Sequence, residues 1–187
     1  VYALTAGQPD AVTLVPDDRK GALAAVRHLI GRGRRRIVHV TGPGSFQVVH
    51  ERALAWRDAL SEAGLPAGEA DIFRGPRSGR WGHGAVAALW PRRGRPDGIF
   101  CGNDQIARGV IDALRERGVC VPSDVSVVGF DNWEIVAEQT RPPLTTVDMN
   151  LKELGRQAGR ALVRLVDGED VPRGTWKLPC SLVVRAS

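Results

Sequence analysis

The segment Asp124–Val147, DVSVVGFDNWEIVAEQTRPPLTTV, constrains the fold of this chain more than any other. Val125, Ser126, Val127 and Val128 read as a short buried strand. Gly129 is expected to end that strand and let Phe130 and Asp131 turn outward. A carboxylate at the C-terminal end of a parallel strand stands where open α/β sheets collect their ligands. The double proline Pro142–Pro143 stops any helix begun after Asn132, and Leu144–Val147 resumes extended chain.

The rest of the chain keeps the same rhythm. Ala11–Val15 is a short extended run. Asp17 and Asp18 then place negative charge at the start of a helix running to about Ile30, with Gly31 and Gly33 as its stop. Ile37–Thr41 reads as a strand, followed by the turn Gly42–Ser45 and a helix from about Val49 to Ala63. Asp71–Arg74 is a strand, Gly82–Leu89 a helix, Gly98–Cys101 a strand, and Gln105–Arg117 a helix closed by Gly118. Leu151, Leu154, Ala158, Leu162 and Leu165 stripe a further helix, and Leu182–Arg185 is a final strand. Helices between successive strands imply parallel pairing through right-handed crossovers. The fold class is therefore α/β, a doubly wound parallel sheet centred on Ile37–Thr41, Gly98–Cys101 and Val125–Val128.

Charge and motif content narrow the function. The net charge of +5 and pI near 9.7 raise nucleic acid as a partner. The densest patch, Arg32, Arg34, Arg35 and Arg36, falls in a helix-to-strand loop, with no recognition helix or stacking aromatics beside it. It reads as a solvated loop. No apolar stretch is long enough to span a bilayer, and the opening residues lack the features of a secretory leader. A start at Val1 suggests a piece of a longer chain. Cys101, Cys120 and Cys180 are scattered without metal or redox spacing, as expected of free thiols in a reducing compartment. Gly42–Gln47 lacks the third glycine of a dinucleotide fingerprint, and Leu54 stands where a zincin helix beginning at His50-Glu51 needs its second histidine. No P-loop or nucleophile elbow is present. No catalytic residues, cofactor or metal are expected.

Taken in order, strand, Gly-aromatic-Asp, short helix and Pro-Pro-Leu-Thr-Thr resemble the signature of the lactose-repressor (Lac/Gal) family of bacterial transcription regulators. Arg27–Pro43 is similar to the family's helix-loop-strand segment, with Arg34 in place of its usual His. Glu51–Leu65 resembles its Arg-x-x-Gly-aromatic helix, with Ala55 in place of Gly. Gly98–Asn132 matches almost without a break, and Leu178–Ser187 resembles the closing strand. The resemblance implies a periplasmic-binding-protein-like (type I) core of two lobes joined by three crossovers. Measured against it, the DNA-binding headpiece and most of the first lobe are missing. Residues 1–16 and 147–176 are expected to be remnants of the N-terminal lobe, and 17–146 with 177–187 the C-terminal lobe.

The resemblance also implies an effector site between the lobes. Arg52 matches the arginine that reaches into the family's cleft, where a guanidinium fork suits vicinal hydroxyls or a carboxylate. Asn103 would meet the ligand while Asp104 caps the next helix; from the residues alone, either side chain can be the cap. Asp131 can accept from two sugar hydroxyls at once. Arg77 stands where the family often has an aromatic, which leaves Trp81 and Trp133 as candidates for a flat apolar wall or for ordinary core and surface roles. The function implied is that of a cytoplasmic, ligand-responsive regulator, most simply a repressor. It would bind a sugar or nucleobase-like effector here, and operator DNA through the absent headpiece. The alternative is a periplasmic sugar-binding protein of a transport system, built on the same fold. The Leu-Thr-Thr-Val segment and the Arg-Ala-Ser close favour the regulator. Family cores pair, so a homodimer is expected, with Ile111 and Ile135 as exposed apolar contacts.

Overall fold

Residues 1–3, 10–91 and 94–187 are described by the computed structural model, so residues 4–9 of the expected first-lobe remnant lie outside it. The elements run β1 (Tyr2–Ala3), β2 (Val12–Pro16), α1 (Asp18–Gly31), β3 (Ile37–Thr41), α2 (Gln47–Glu62), β4 (Ile72–Arg74), α3 (Gly79–Leu89) and β5 (Gly98–Cys101). They continue with α4 (Asp104–Glu116), β6 (Ser126–Asp131), α5 (Glu134–Ala137), β7 (Thr145–Asp148), α6 (Leu151–Val166), β8 (Gly174–Leu178) and β9 (Ser181–Val183).

Two sheets result. The larger has the order β4-β3-β5-β6-β7-β9 and the smaller β1-β2-β8. All pairings are parallel except that of β7 with β9, which is antiparallel and closes one edge. Strand order reverses between β3 and β5, since the chain steps outward to β4 before returning. Such a switch point opens a crevice at the C-terminal ends of the strands.

The larger sheet is covered on both faces. Val38, Val40, Ile99, Cys101 and Val127 pack against α3 and α4, while Ile37, Phe100, Val128 and Phe130 pack against α1 and α2. This two-residue alternation, with apolar side chains on both faces, is what a helix-sandwiched strand requires. Trp56, Leu29 and Leu60 are fully buried in the second layer, each worth about 1.5–3 kcal/mol against exposure. The α3–α4 contact depends on Gly109, where a Cβ would collide with the backbone of Gly79. Asp17 caps α1 by accepting from Lys20 N–H at 3.1 Å.

Three sequence expectations need correction. Gly129 does not end the strand: β6 runs on to Asp131, and Phe130 is fully buried instead of turned outward. The glycine serves a close approach, because a Cβ there would strike the Asp104 carboxylate and Leu144. Ile111 is only 1% exposed. The reason is that α4 packs against both α3 and α5 and buries a broad arc of its surface. Ile135, by contrast, is 69% exposed. The strand β8 had no counterpart in the sequence reading. It pairs with β2 over five residues, Val12↔Gly174 to Pro16↔Leu178.

The arginine-rich loop is partly structural. Arg34 donates to Ser126 Oγ at 3.0 Å and Pro122 O at 2.5 Å, and Asp97 accepts from the backbone N–H groups of Arg35 and Arg36.

Candidate functional site

The chain passes between the two sheets at β2 into α1, at β7 into α6, and at β8 into β9. Beside these passages lies a cavity of about 690 Å³, lined by Val15, Pro16, Thr175 and Lys177 of the smaller sheet. Its other wall is built from Asp18, Phe46, Arg52, Arg77, Asp131 and Met149.

Arg52 sits in the first turns of α2 and is only 5% exposed. Its Nε and Nη2 donate to Asp18 Oδ1 at 2.8 and 2.5 Å, and Nη1 donates to Gly102 O at 2.6 Å. Its Cζ lies 3.5 Å from the centroid of the Phe130 ring, so cation–π attraction adds to the ion pair. Arg52 Nη2 also donates to Met149 Sδ at 3.8 Å, so Arg52 forms the back of the cavity with four of its five N–H groups already used on the protein.

Asp131 closes β6 with a backbone φ of 120° and faces the cavity. Its Oδ1 is buried and has no hydrogen-bond partner among the described residues. Burial pushes the carboxyl up to about 6, against the pull of the Arg52 and Arg77 guanidiniums. Arg77 lies in the lining with its side chain over Gly42.

The remaining expected residues lie elsewhere. Asn103 is the cap of α4, its Oδ1 accepting from Ile106 N–H at 2.8 Å, and it does not line the cavity. Asp104 does not cap by side chain; it accepts from Thr146 Oγ1 at 2.5 Å and from Trp133 N–H at 2.7 Å. Burial raises its carboxyl to about 7, and these two donors hold it back from going higher. Asn103 thus takes the capping role expected of Asp104, while Asp104 takes neither that role nor a place in the cavity. Trp81 donates Nε1–H to Thr41 O at 3.1 Å and packs over Gly75 behind the cavity. Trp133 is 52% exposed at the start of α5 and outside the lining. The aromatic that does line the cavity is Phe46, in the turn before α2. Its signal in the sequence is its position directly after the Gly-Pro-Gly-Ser turn. Asp18, expected only as helix-terminal charge, is the partner of Arg52.

His39 lies in the core, with burial pushing it down to about 4 and Nδ1 paired to Phe100 O at 3.0 Å. Among the described residues, no group of three or more His, Cys, Asp or Glu side chains is placed to hold a metal ion. No helix among them is long and apolar enough to cross a membrane.

A mostly parallel sheet, a smaller sheet reached by crossovers, and a polar cavity between them define a periplasmic-binding-protein-like fold of type I. Residues 26–187 match the family of the periplasmic binding protein-like domain. The HTH-type transcriptional regulator DegA of Bacillus subtilis is 38% identical over 174 residues, covering 93% of this chain and 51% of its own length. The HTH-type transcriptional repressor CytR of Escherichia coli is 31% identical over 171 residues, covering 91% of this chain and 50% of its own. Among solved structures, a complex of the transcriptional regulator CelR with cellobiose superposes with a TM-score of 0.88 and 31% identity, over 100% of this chain and 57% of that one. The Escherichia coli transcriptional repressor ascG superposes with a TM-score of 0.86 and 31% identity, over 94% and 63%. The chain belongs to the family of the periplasmic binding protein-like domain, and the relatives and solved structures it resembles are transcriptional regulators, among them a regulatory protein of the LacI family from Chloroflexus aggregans. It spans about half the length of the curated relatives it matches.

Proposed function

We propose that this chain is the effector-binding core of a ligand-responsive transcription regulator, a repressor, and that its cavity takes a small polar ligand, a sugar. The observation carrying this reading is Asp131, a residue of the lining of a cavity bounded by both sheets, whose Oδ1 is buried without a partner among the described residues. Leaving such a group unsatisfied costs about 1–3 kcal/mol, and a ligand hydroxyl would recover it. Arg77 is the second proposed contact and Phe46 the flat wall, with Arg52 held behind them. The CelR complex with cellobiose supports a sugar, and the naming of relatives as transcriptional regulators favours regulation over transport.

On this reading the smaller sheet with α6 is the N-terminal lobe and the larger sheet with its helices the C-terminal lobe, the boundaries falling after β7 and after β8, at 148 and 178, instead of at 146 and 176. A ligand between them acts through its difference in affinity for their relative arrangements. In the whole protein, a cytoplasmic homodimer, that arrangement would set the spacing of two operator-binding headpieces. No catalytic step is assigned.

The test is a thermal-shift panel of mono- and disaccharides and nucleobases. A compound that raises the unfolding temperature should lose about 1.5–3 kcal/mol of binding on Asp131→Ala, with the variant still folded. A stabilising ligand bound equally well by Asp131→Ala would refute the site.

A further inference from the structure

We propose that Asn132 is a positioning residue: it holds Asp131 aimed into the cavity and ties that carboxylate, through Asp148, to the crossover from β7 into α6. That Asp131 meets a ligand rests on the function proposed above; the positioning itself does not.

Asp131 and Asn132 are consecutive residues with positive φ, 120° and 51°. Backbone of this kind is disfavoured for side chains with a Cβ and persists only where the surroundings over-determine it. The surroundings do so through Asn132 and its neighbour. Asn132 Nδ2 donates to Asp148 Oδ2 at 3.0 Å, and Arg185 Nη2 donates to Asn132 Oδ1 at 2.9 Å. Trp133 N–H donates to Asp104 Oδ2 at 2.7 Å, pinning the residue after the turn. Asp148 in turn accepts from Asn150 N–H at 2.6 Å, and Asn150, with φ 54°, opens α6. Arg185 also donates through Nη1 to Leu144 O at 2.9 Å, and its backbone N–H donates to Thr145 Oγ1 at 3.0 Å.

Three sequence motifs far apart in the chain, Gly-Phe-Asp-Asn, Leu-Thr-Thr and Arg-Ala-Ser, thus close into one hydrogen-bond network behind Asp131. Asn suits the central place for a chemical reason. It offers a donor to a carboxylate and an acceptor to a guanidinium at once, while Asp would set like charge against Asp148. The crossover leads from the larger sheet to the helix packed on the smaller one. A change in the angle between the sheets that displaces Asp148 therefore pulls on Asn132, and through one peptide bond on Asp131.

The experiment needs no ligand. Carbon-13 NMR follows the Asp131 carboxyl through its titration, and hydrogen exchange follows residues 131–133 and 148–151. The wild-type carboxyl should titrate near 6, as its burial dictates. Asn132→Gly keeps access to positive φ but removes both side-chain bonds, and Asn132→Asp adds repulsion. Asn132→Gly should move the Asp131 midpoint toward the ordinary value of about 4. Asn132→Asp should move it upward, because a new neighbouring carboxylate opposes ionisation. Both should speed exchange at both segments together. The double exchange Asn132→Asp with Asp148→Asn restores donor and acceptor in reversed positions, and should return the exchange rates to wild type. An unmoved Asp131 midpoint in the single variants, even with a lower melting temperature, would reduce Asn132 to a structural part and overturn the proposal. So would a folded double variant that fails to restore the exchange protection. A sugar panel without a hit would sink the ligand reading and leave this titration intact.

Discussion

Arg52 and Asp18, 34 residues apart, meet as a buried ion pair 2.5 Å across, with side chains 6% and 10% exposed. The pair joins the start of α2 to the start of α1, at the point where the chain leaves the smaller sheet. Removing one partner leaves a buried charge unpaired.

Arg52→Ala should therefore destabilise the fold by about 3–5 kcal/mol, far more than an arginine at a solvated helix start would cost. Asp18→Ala combined with Arg52→Ala should lose less than the sum of the two single changes, because neither charge is then stranded. Urea unfolding of the four proteins gives the cycle. A loss under 1 kcal/mol for Arg52→Ala would show that the pair is not closed in solution.

Stability should fall as the pH rises from about 4 toward 7. Burial raises the folded value of Asp104 to about 7 and that of Asp131 to about 6. A carboxyl raised in this way contributes its full stability below its unfolded value near 4, and loses it as the pH climbs through the folded value. Asp104→Asn keeps an acceptor for Trp133 N–H and offers a donor to Thr146, without the titration. Urea midpoints across this range should decline less for Asp104→Asn than for wild type. Parallel profiles would refute the assignment to Asp104.

Ile135→Asp should weaken self-association and spare the fold, since the side chain is 69% exposed beside the exposed Trp133. Ile111→Asp should unfold the protein, because it sets a charge in the core. Sedimentation velocity and circular dichroism separate the outcomes. An Ile135→Asp protein that sediments like wild type would exclude this patch as a contact.

Residues 1–187 alone should show no preference for an operator over a scrambled duplex. The helices of the larger sheet are engaged in covering it, and Arg34 is occupied by Ser126 and Pro122. Weak binding that falls steeply with salt and ignores sequence is the expected result of net charge alone. Fluorescence anisotropy at near-physiological salt measures it, and a clear operator preference would relocate the DNA-binding function to this chain.

The sequence by itself determined the alternation of strands and helices, the three central strands and the family, because these rest on short-range periodicity and on motifs written in adjacent residues. Ile37–Thr41 and Gly98–Cys101 are found with the bounds the pattern implied. Only the tertiary structure decided which side chains face one another. Asn103 and Asp104 are both competent caps, and the choice fell to Asn103 because Thr146 and Trp133, brought in from β7 and α5, claimed Asp104. Trp81 and Trp133 were drawn away by Thr41 O and by the exposed start of α5, while Phe46 entered the cavity. Arg52 acquired Asp18, and Gly129 proved to be room for a carboxylate. Hydrogen bonds and ion pairs act over about 3 Å, and separations that small between residues 30 or 40 positions apart along the chain exist only once the sheets have formed.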